Sequence, residues 1–206
     1  KKFGLNRDKI IIAKPQEPKI TIVENQLKLD PKRVQFIFPT FPRVFKNIEI
    51  IAEAVIVLNN LGINKFIVNL TIDGTENKYS RLIYKKYSHL ECLNFIGLQP
   101  REKVYELYGE SNCLLFPSKL ESWGLPISEY KQFDKPIIVA NLPYAKETVA
   151  HYNKAKFFDP NCPVSLANCM KEIILNKDIS FDKTEEVLYP KPYVENWESL
   201  IQLILN

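Results

Sequence analysis

From residue 33 onward, short apolar runs alternate with longer segments whose apolar positions recur every three or four residues. Val34-Gln-Phe-Ile-Phe38 reads as a strand, 47–61 as an amphipathic helix, and 65–72 as a second strand closing on Asp73-Gly74. The same beat predicts helices over 78–87 and 101–108, the latter behind Pro100, with a strand over 90–96 ending at Gly97. It continues as strand 113–116, helix 126–133, strand 136–140, strand 155–158 and helix 164–175. Strands separated by helices imply βαβ units with right-handed crossovers, hence an α/β fold with a doubly wound, Rossmann-like parallel sheet. Ligands of such sheets bind beyond the carboxyl ends of the strands, where strand order switches. Of six glycines, Gly74, Gly97 and Gly124 fall at strand-to-helix turns on that edge.

The ends break this rhythm. Lys14-Pro-Gln-Glu-Pro18 and the short run Ile20-Thr-Ile-Val23 suit a linker or a stray strand, so 1–32 reads as a linker or the remnant of a preceding unit. Residues 33–188 form the main domain. Tyr189-Pro-Lys-Pro192 then interrupts the chain before a last helix over 194–205, which carries Trp197. With 206 residues, 46% of them hydrophobic, the chain can bury a real core. No apolar run approaches the roughly 18–20 residues of a membrane span, and no leader pattern opens the sequence. The net charge of +4 is spread through mixed Lys and Glu, which gives no nucleic-acid footprint.

Four cysteines (Cys92, Cys113, Cys162, Cys169) and two histidines (His89, His151) lack metal-ligand spacing. Cys92 and Cys113 lie in apolar runs and read as buried, reduced thiols, which fits a cytoplasmic chain.

The densest chemistry lies in Glu121-Ser-Trp-Gly-Leu-Pro-Ile-Ser-Glu129, directly after the apolar Cys113-Leu-Leu-Phe-Pro117. Proline suits the start of a helix, where its missing N–H costs nothing, so a helix opens at or near Pro126. Backbone N–H groups without intrahelical partners then gather at Gly124 and its neighbours and suit a phosphate. Glu121 and Glu129 flank that turn as acceptor-only groups matched to sugar hydroxyls. Each has a plainer alternative, Glu129 complementing the helix dipole and Glu121 closing a local turn. Trp123 is either a core anchor or a site wall.

With these residues in place, 34–205 resembles the carboxy-terminal, nucleotide-sugar-binding half of GT-B fold retaining glycosyltransferases of group 1, also called family 4. The resemblance rests on Arg43 and Lys46 in Phe41-Pro-Arg-Val-Phe-Lys-Asn47, on Asp73-Gly74, on Asn94-Phe-Ile-Gly97 before a helix, on the pair Glu121 and Glu129, and on Trp197 in the last helix. It implies that Arg43 and Lys46 hold the donor pyrophosphate, Glu129 the ribose hydroxyls and Glu121 the transferred sugar. Backbone groups of Ser122, Trp123, Gly124 and Leu125 would face sugar and phosphate, with Gly97 and Leu98 bordering the base. The implied donor is a UDP- or GDP-sugar, with no further cofactor and no metal; the acceptor is a glycan or glycolipid of polysaccharide biosynthesis. The resemblance also implies a partner absent from this chain, an amino-terminal half that would carry acceptor contacts and any peripheral contact with the inner face of the membrane. This chain alone is expected to bind donor weakly and to transfer no sugar. If Trp197 and Leu200 cross to that other half, their helix leaves an apolar patch here.

The sequence departs from the group in three places. Phe41-Pro42 stands where a glycine commonly precedes the basic pair, only two residues separate Arg43 from Lys46, and Gly74 replaces a Gly-x-Gly. Glu147, read as lying in a loop after the fifth strand, is either an acid the group often keeps there or a plain loop carboxylate. A GT-B UDP-sugar epimerase is the alternative enzyme, disfavoured by the scarcity of histidine. A non-catalytic α/β interaction module is the alternative outside enzymes.

Overall fold

The computed structural model describes residues 10–15, 20, 29, 31–176, 179–184, 192–194 and 196–205. Among these, six parallel strands form one sheet: β2 (Val34–Phe38), β3 (Phe66–Leu70), β4 (Leu93–Phe95), β5 (Cys113–Phe116), β6 (Ile137–Ala140) and β7 (Ala155–Phe158). Their order, β4-β3-β2-β5-β6-β7, reverses between β2 and β5 and so places the switch point there. The doubly wound sheet expected from the alternation is the sheet observed.

Both faces of the sheet are covered, which is why β5 and β6 are apolar at every position and buried throughout. Helix α1 (Ile48–Asn60) packs on α6 (Pro163–Leu175) and α2 (Lys78–Tyr87) on one face. On the other, α3 (Arg101–Glu110) meets α4 (Leu125–Lys131) through Tyr108 and Tyr130, whose rings stand edge to face at 5.2 Å, and α4 meets α5 (Pro143–Val149). Phe36 with Phe66 and Phe38 with Phe116 make edge-to-face pairs between neighbouring strands.

Several expected boundaries move. Helix α5 was not anticipated, so Glu147 lies in a helix rather than a loop. Strand β4 is only three residues long because Leu93 N–H donates to the Leu90 carbonyl, which folds the preceding residues into a turn. The last helix, α7 (Trp197–Leu205), begins three residues late because Tyr193 and Val194 form β8 against β1 (Ile12–Ala13). Much of Lys14–Pro18, of Ile20–Val23 and of Tyr189–Pro192 lies outside the described residues.

Two local devices hold the frame. Asn77 and Ser80 form a reciprocal capping box at the start of α2, satisfying two orphan donors. Lys135 closes the end of α3 by donating to the carbonyls of Tyr108, Gly109 and Ser111 at 3.2, 2.6 and 2.8 Å. Burial pulls this ammonium down to about 8. Lys135→Met keeps the stem and deletes the three donors; it should cost about 1–3 kcal/mol, read as a lower urea midpoint at unchanged slope.

Candidate functional site

Beyond β5 the chain turns through Pro117 and Ser118 and reaches Glu121, Ser122 and Trp123 before α4. The reversal into the helix occurs at Gly124, whose φ of 92° lies in the left-handed region. A Cβ there would also stand 3.2 Å from Ile127 Cδ1 and 3.5 Å from the Phe116 ring, so conformation and packing both call for glycine. Leu125 is the first helical residue and Pro126 the second. Trp123 is half-buried and joins two helices: its Nε1 donates to Ser128 Oγ at 3.1 Å, and its carbonyl accepts from Thr148 Oγ1. Ser122 and Leu125 are exposed beside it.

The facing wall comes from the turn after β2. A short 3-10 turn, Val44–Lys46, aims Lys46 across the switch point, where its Nζ lies 2.5 Å from Glu121 Oε1, 75 residues away in sequence. Their side chains are only 18% and 14% exposed, so the pair is largely shielded from water. Lys46 Nζ also stands 5.8 Å from the centroid of the Phe116 ring. Arg43 is not drawn in with it. Its exposed guanidinium lies 5.2 Å from the Phe41 ring, and no described carboxylate forms an ion pair with it. Asn47 fixes this wall: its Nδ2 donates to the carbonyls of Pro117 and Pro160 at 3.3 and 3.0 Å, while Lys119 N–H donates to the Phe45 carbonyl at 2.7 Å. A cavity of about 620 Å³ adjoins it, lined among others by Val44, Phe45, Asn47, Lys119 and Pro160.

Glu129 lies one turn into α4 and is 8% exposed. Its Oε2 accepts from Tyr108 Oη at 3.2 Å, and its Oε1 from Arg101 Nη2 at 3.1 Å and Tyr105 Oη at 3.4 Å. Burial first, then the Glu129 charge, hold the Tyr108 phenol well above its ordinary value. Arg101 is raised by its bond to Tyr105 and by the carboxylate. Sequence reasoning did not select these three residues, although 101, 105 and 108 fall on one face of α3 at helical spacing.

The third edge is the turn after β4. Gly97 has a φ of 69° and is buried, and a Cβ on it would come within 2.9 Å of Asp73 Oδ2. Leu98 follows, 53% exposed. Bonds from Thr75, side chain before backbone, hold the Asp73 carboxyl below its usual range. At Gly74, by contrast, the close neighbour is the Tyr84 side chain of α2. The structure therefore gathers Lys46, Glu121, Trp123, Gly124, Leu125 and Glu129 around one helix start, with Gly97 and Leu98 on the turn after β4, two strands from β2, and Arg43 outside.

Comparison with known proteins gives a consistent result. The family described as "Glycosyl transferases group 1" matches residues 12–188. The serotype-specific mannosyltransferase WbdA of Escherichia coli is 32% identical over 143 residues, which is 67% of this chain and 17% of that protein. The chain thus spans about a sixth of the length of that curated relative. Among solved structures, a glycosyltransferase from Rickettsia africae superposes with a TM-score of 0.61 at 21% identity over 73% of this chain and 40% of the other. Anabaena HepE, in complex with UDP and glucose, gives a TM-score of 0.59 at 18% identity over 76% of this chain and 46% of the other. Both likenesses speak to fold.

Proposed function

The chain belongs to the group 1 glycosyl transferases, with a GT-B type, Rossmann-like domain, and from that premise we propose that the carboxyl edge of its sheet, at the start of α4, is the donor site of a retaining hexosyltransferase. The observation that carries this reading is the Lys46–Glu121 pair, closed across the switch point beside the start of α4. Lys46, aided by Arg43, takes the donor pyrophosphate, and Glu121 takes hydroxyls of the transferred sugar. Amides of Ser122, Trp123, Gly124 and Leu125 face phosphate and sugar, Glu129 receives the ribose hydroxyls, and Gly97 with Leu98 borders the base.

This placement suits the chemistry. Breaking the anomeric bond leaves negative charge on the departing nucleoside diphosphate, and fixed cations with oriented amides stabilise that charge. Side chains supply the countercharge in this scheme, so no metal is assigned. The mannosyltransferase name of WbdA and the UDP and glucose bound to HepE support a UDP- or GDP-hexose donor here. A glycan or glycolipid acceptor, in polysaccharide synthesis at the cytoplasmic face of a membrane, extends the same reading. No helix among the described residues is long and apolar enough to cross a membrane. Residues 33–188 would form the donor domain, 1–32 a linker or the remnant of a preceding half, and 189–206 a segment that crosses to a second, amino-terminal half. Helix α7 suits such a crossing, since Trp197, Ile201 and Ile204 are 54%, 55% and 65% exposed along one face.

Calorimetric titration with a panel of nucleoside diphosphates tests the site. UDP or GDP should bind in the micromolar to millimolar range, and Glu129→Ala should weaken that binding about tenfold or more, the worth of hydrogen bonds to a charged acceptor. Affinity that survives both Glu129→Ala and Arg43→Ala would remove this assignment.

A further inference from the structure

The two oxygens of Glu129 are held in unlike ways. Oε2 takes its bond from Tyr108, a fully buried phenol wedged against the rings of Tyr130 and Phe133 at 5.2 and 5.7 Å. Those two rings lie 6.1 Å from each other and press on one side of Tyr108, and full burial leaves the donor little room to move. Oε1 is held from the surface instead: the Arg101 side chain is 59% exposed, and the Tyr105 bond is long at 3.4 Å. The guanidinium has a second seat, because its Nε donates to Tyr105 Oη and its Cζ lies 5.5 Å from the centroid of the Tyr105 ring. It can leave the carboxylate without leaving α3.

Resting on the donor-site reading above, we propose that Tyr108 is a positioning residue that locks the Glu129 carboxylate through Oε2, and that Arg101 is the exchangeable occupant of Oε1, giving it up to the vicinal hydroxyls of a nucleotide ribose. A carboxylate anchored at one oxygen presents the lone pairs of the other in a fixed direction, which suits a rigid diol. The exchange is open because Arg101, 59% exposed, is rehydrated when it leaves, while a hydroxyl donating to the shielded carboxylate makes a charge-assisted bond in its place. A ligand without the diol offers Glu129 no donor and leaves Arg101 where it is. Arg101 therefore sets how strongly the site prefers ribose, and Tyr108 makes that preference geometrically possible.

The test compares UDP and GDP with their dideoxyribose counterparts by calorimetry on the wild-type chain, Arg101→Ala and Tyr108→Phe. Loss of the Arg101 charge alters phosphate attraction equally in both ligands of a pair, so the ribose-to-dideoxyribose affinity ratio isolates the exchange. Arg101→Ala should raise that ratio about two- to fivefold, the strength of a surface ion pair. Tyr108→Phe should lower it about tenfold, with melting temperature recorded to show that the variant is folded. A ratio unchanged or lowered in Arg101→Ala overturns its role, and a preserved ratio in folded Tyr108→Phe overturns the positioning. If Tyr108→Phe does not fold, the exposed Arg101→Ala decides alone. Failure of the wild type to bind either ribonucleotide sinks the donor-site reading itself, a result distinct from binding with an unmoved ratio.

Discussion

Lys46→Ala should weaken binding of a nucleoside diphosphate by about 2–4 kcal/mol, the cost of truncating one member of a shielded, hydrogen-bonded charge pair, and leave binding of the bare nucleoside unchanged. The effect has two parts. The diphosphate loses a cation, and Glu121, its side chain only 14% exposed, is left without its 2.5 Å partner beside the incoming anion. Glu121→Ala has the opposite sign for the diphosphate, because it frees Lys46; its loss appears only with a sugar nucleotide, whose hydroxyls no longer find an acceptor. The double variant should recover part of what Lys46→Ala loses, giving a coupling energy that a double-mutant cycle reads directly. Arg43, exposed and seated on Phe41, should matter less than Lys46. Equal losses of nucleoside and diphosphate affinity in Lys46→Ala would show that it acts through the fold rather than on phosphate.

Gly74→Ala should be the most destabilising of the glycine substitutions, at about 3 kcal/mol from backbone strain and overpacking combined. The backbone has a φ of 93°, and a Cβ would sit 2.8 Å from Tyr84 Cβ, an atom tied to the α2 backbone that cannot swing aside. Gly62 provides the control. Its φ is 72°, but no atom lies within 4 Å of where a Cβ would stand, so Gly62→Ala should cost about 1–2 kcal/mol, the left-handed penalty alone. Thermal unfolding should separate the two variants by a few degrees for a chain of this size. Equal melting temperatures would mean that α2 shifts freely to admit the methyl group.

The sheet was legible because its strands are buried on both faces and read as apolar runs, while α1, α2 and α6 carry helical periodicity over ten to thirteen residues. Helix α5 spans only seven residues, too few for a period to stand out, and its one local mark is Pro143 at the start. The two-residue β8 has no pattern of its own; its pairing with β1, at the other end of the chain, creates it. At the site, the residue types around Gly124 were readable from the helix start they announce. What Lys46 touches was not, since a contact across 75 residues has no local signature. The same holds for Glu129, whose partners arrive from α3. Gly74 shows the converse: grouped with the ligand-edge glycines by its place at a strand end, it is required by Tyr84.

Asn47, reaching from the turn after β2 to carbonyls beyond β5 and β7, makes three separate reversals of the chain into one truss. Its own backbone, at φ 56°, is in a conformation asparagine tolerates better than most residues. A molecule arriving at this rim thus meets a contour set when the polypeptide folded, and little of its binding enthalpy goes into assembling the surface it rests on.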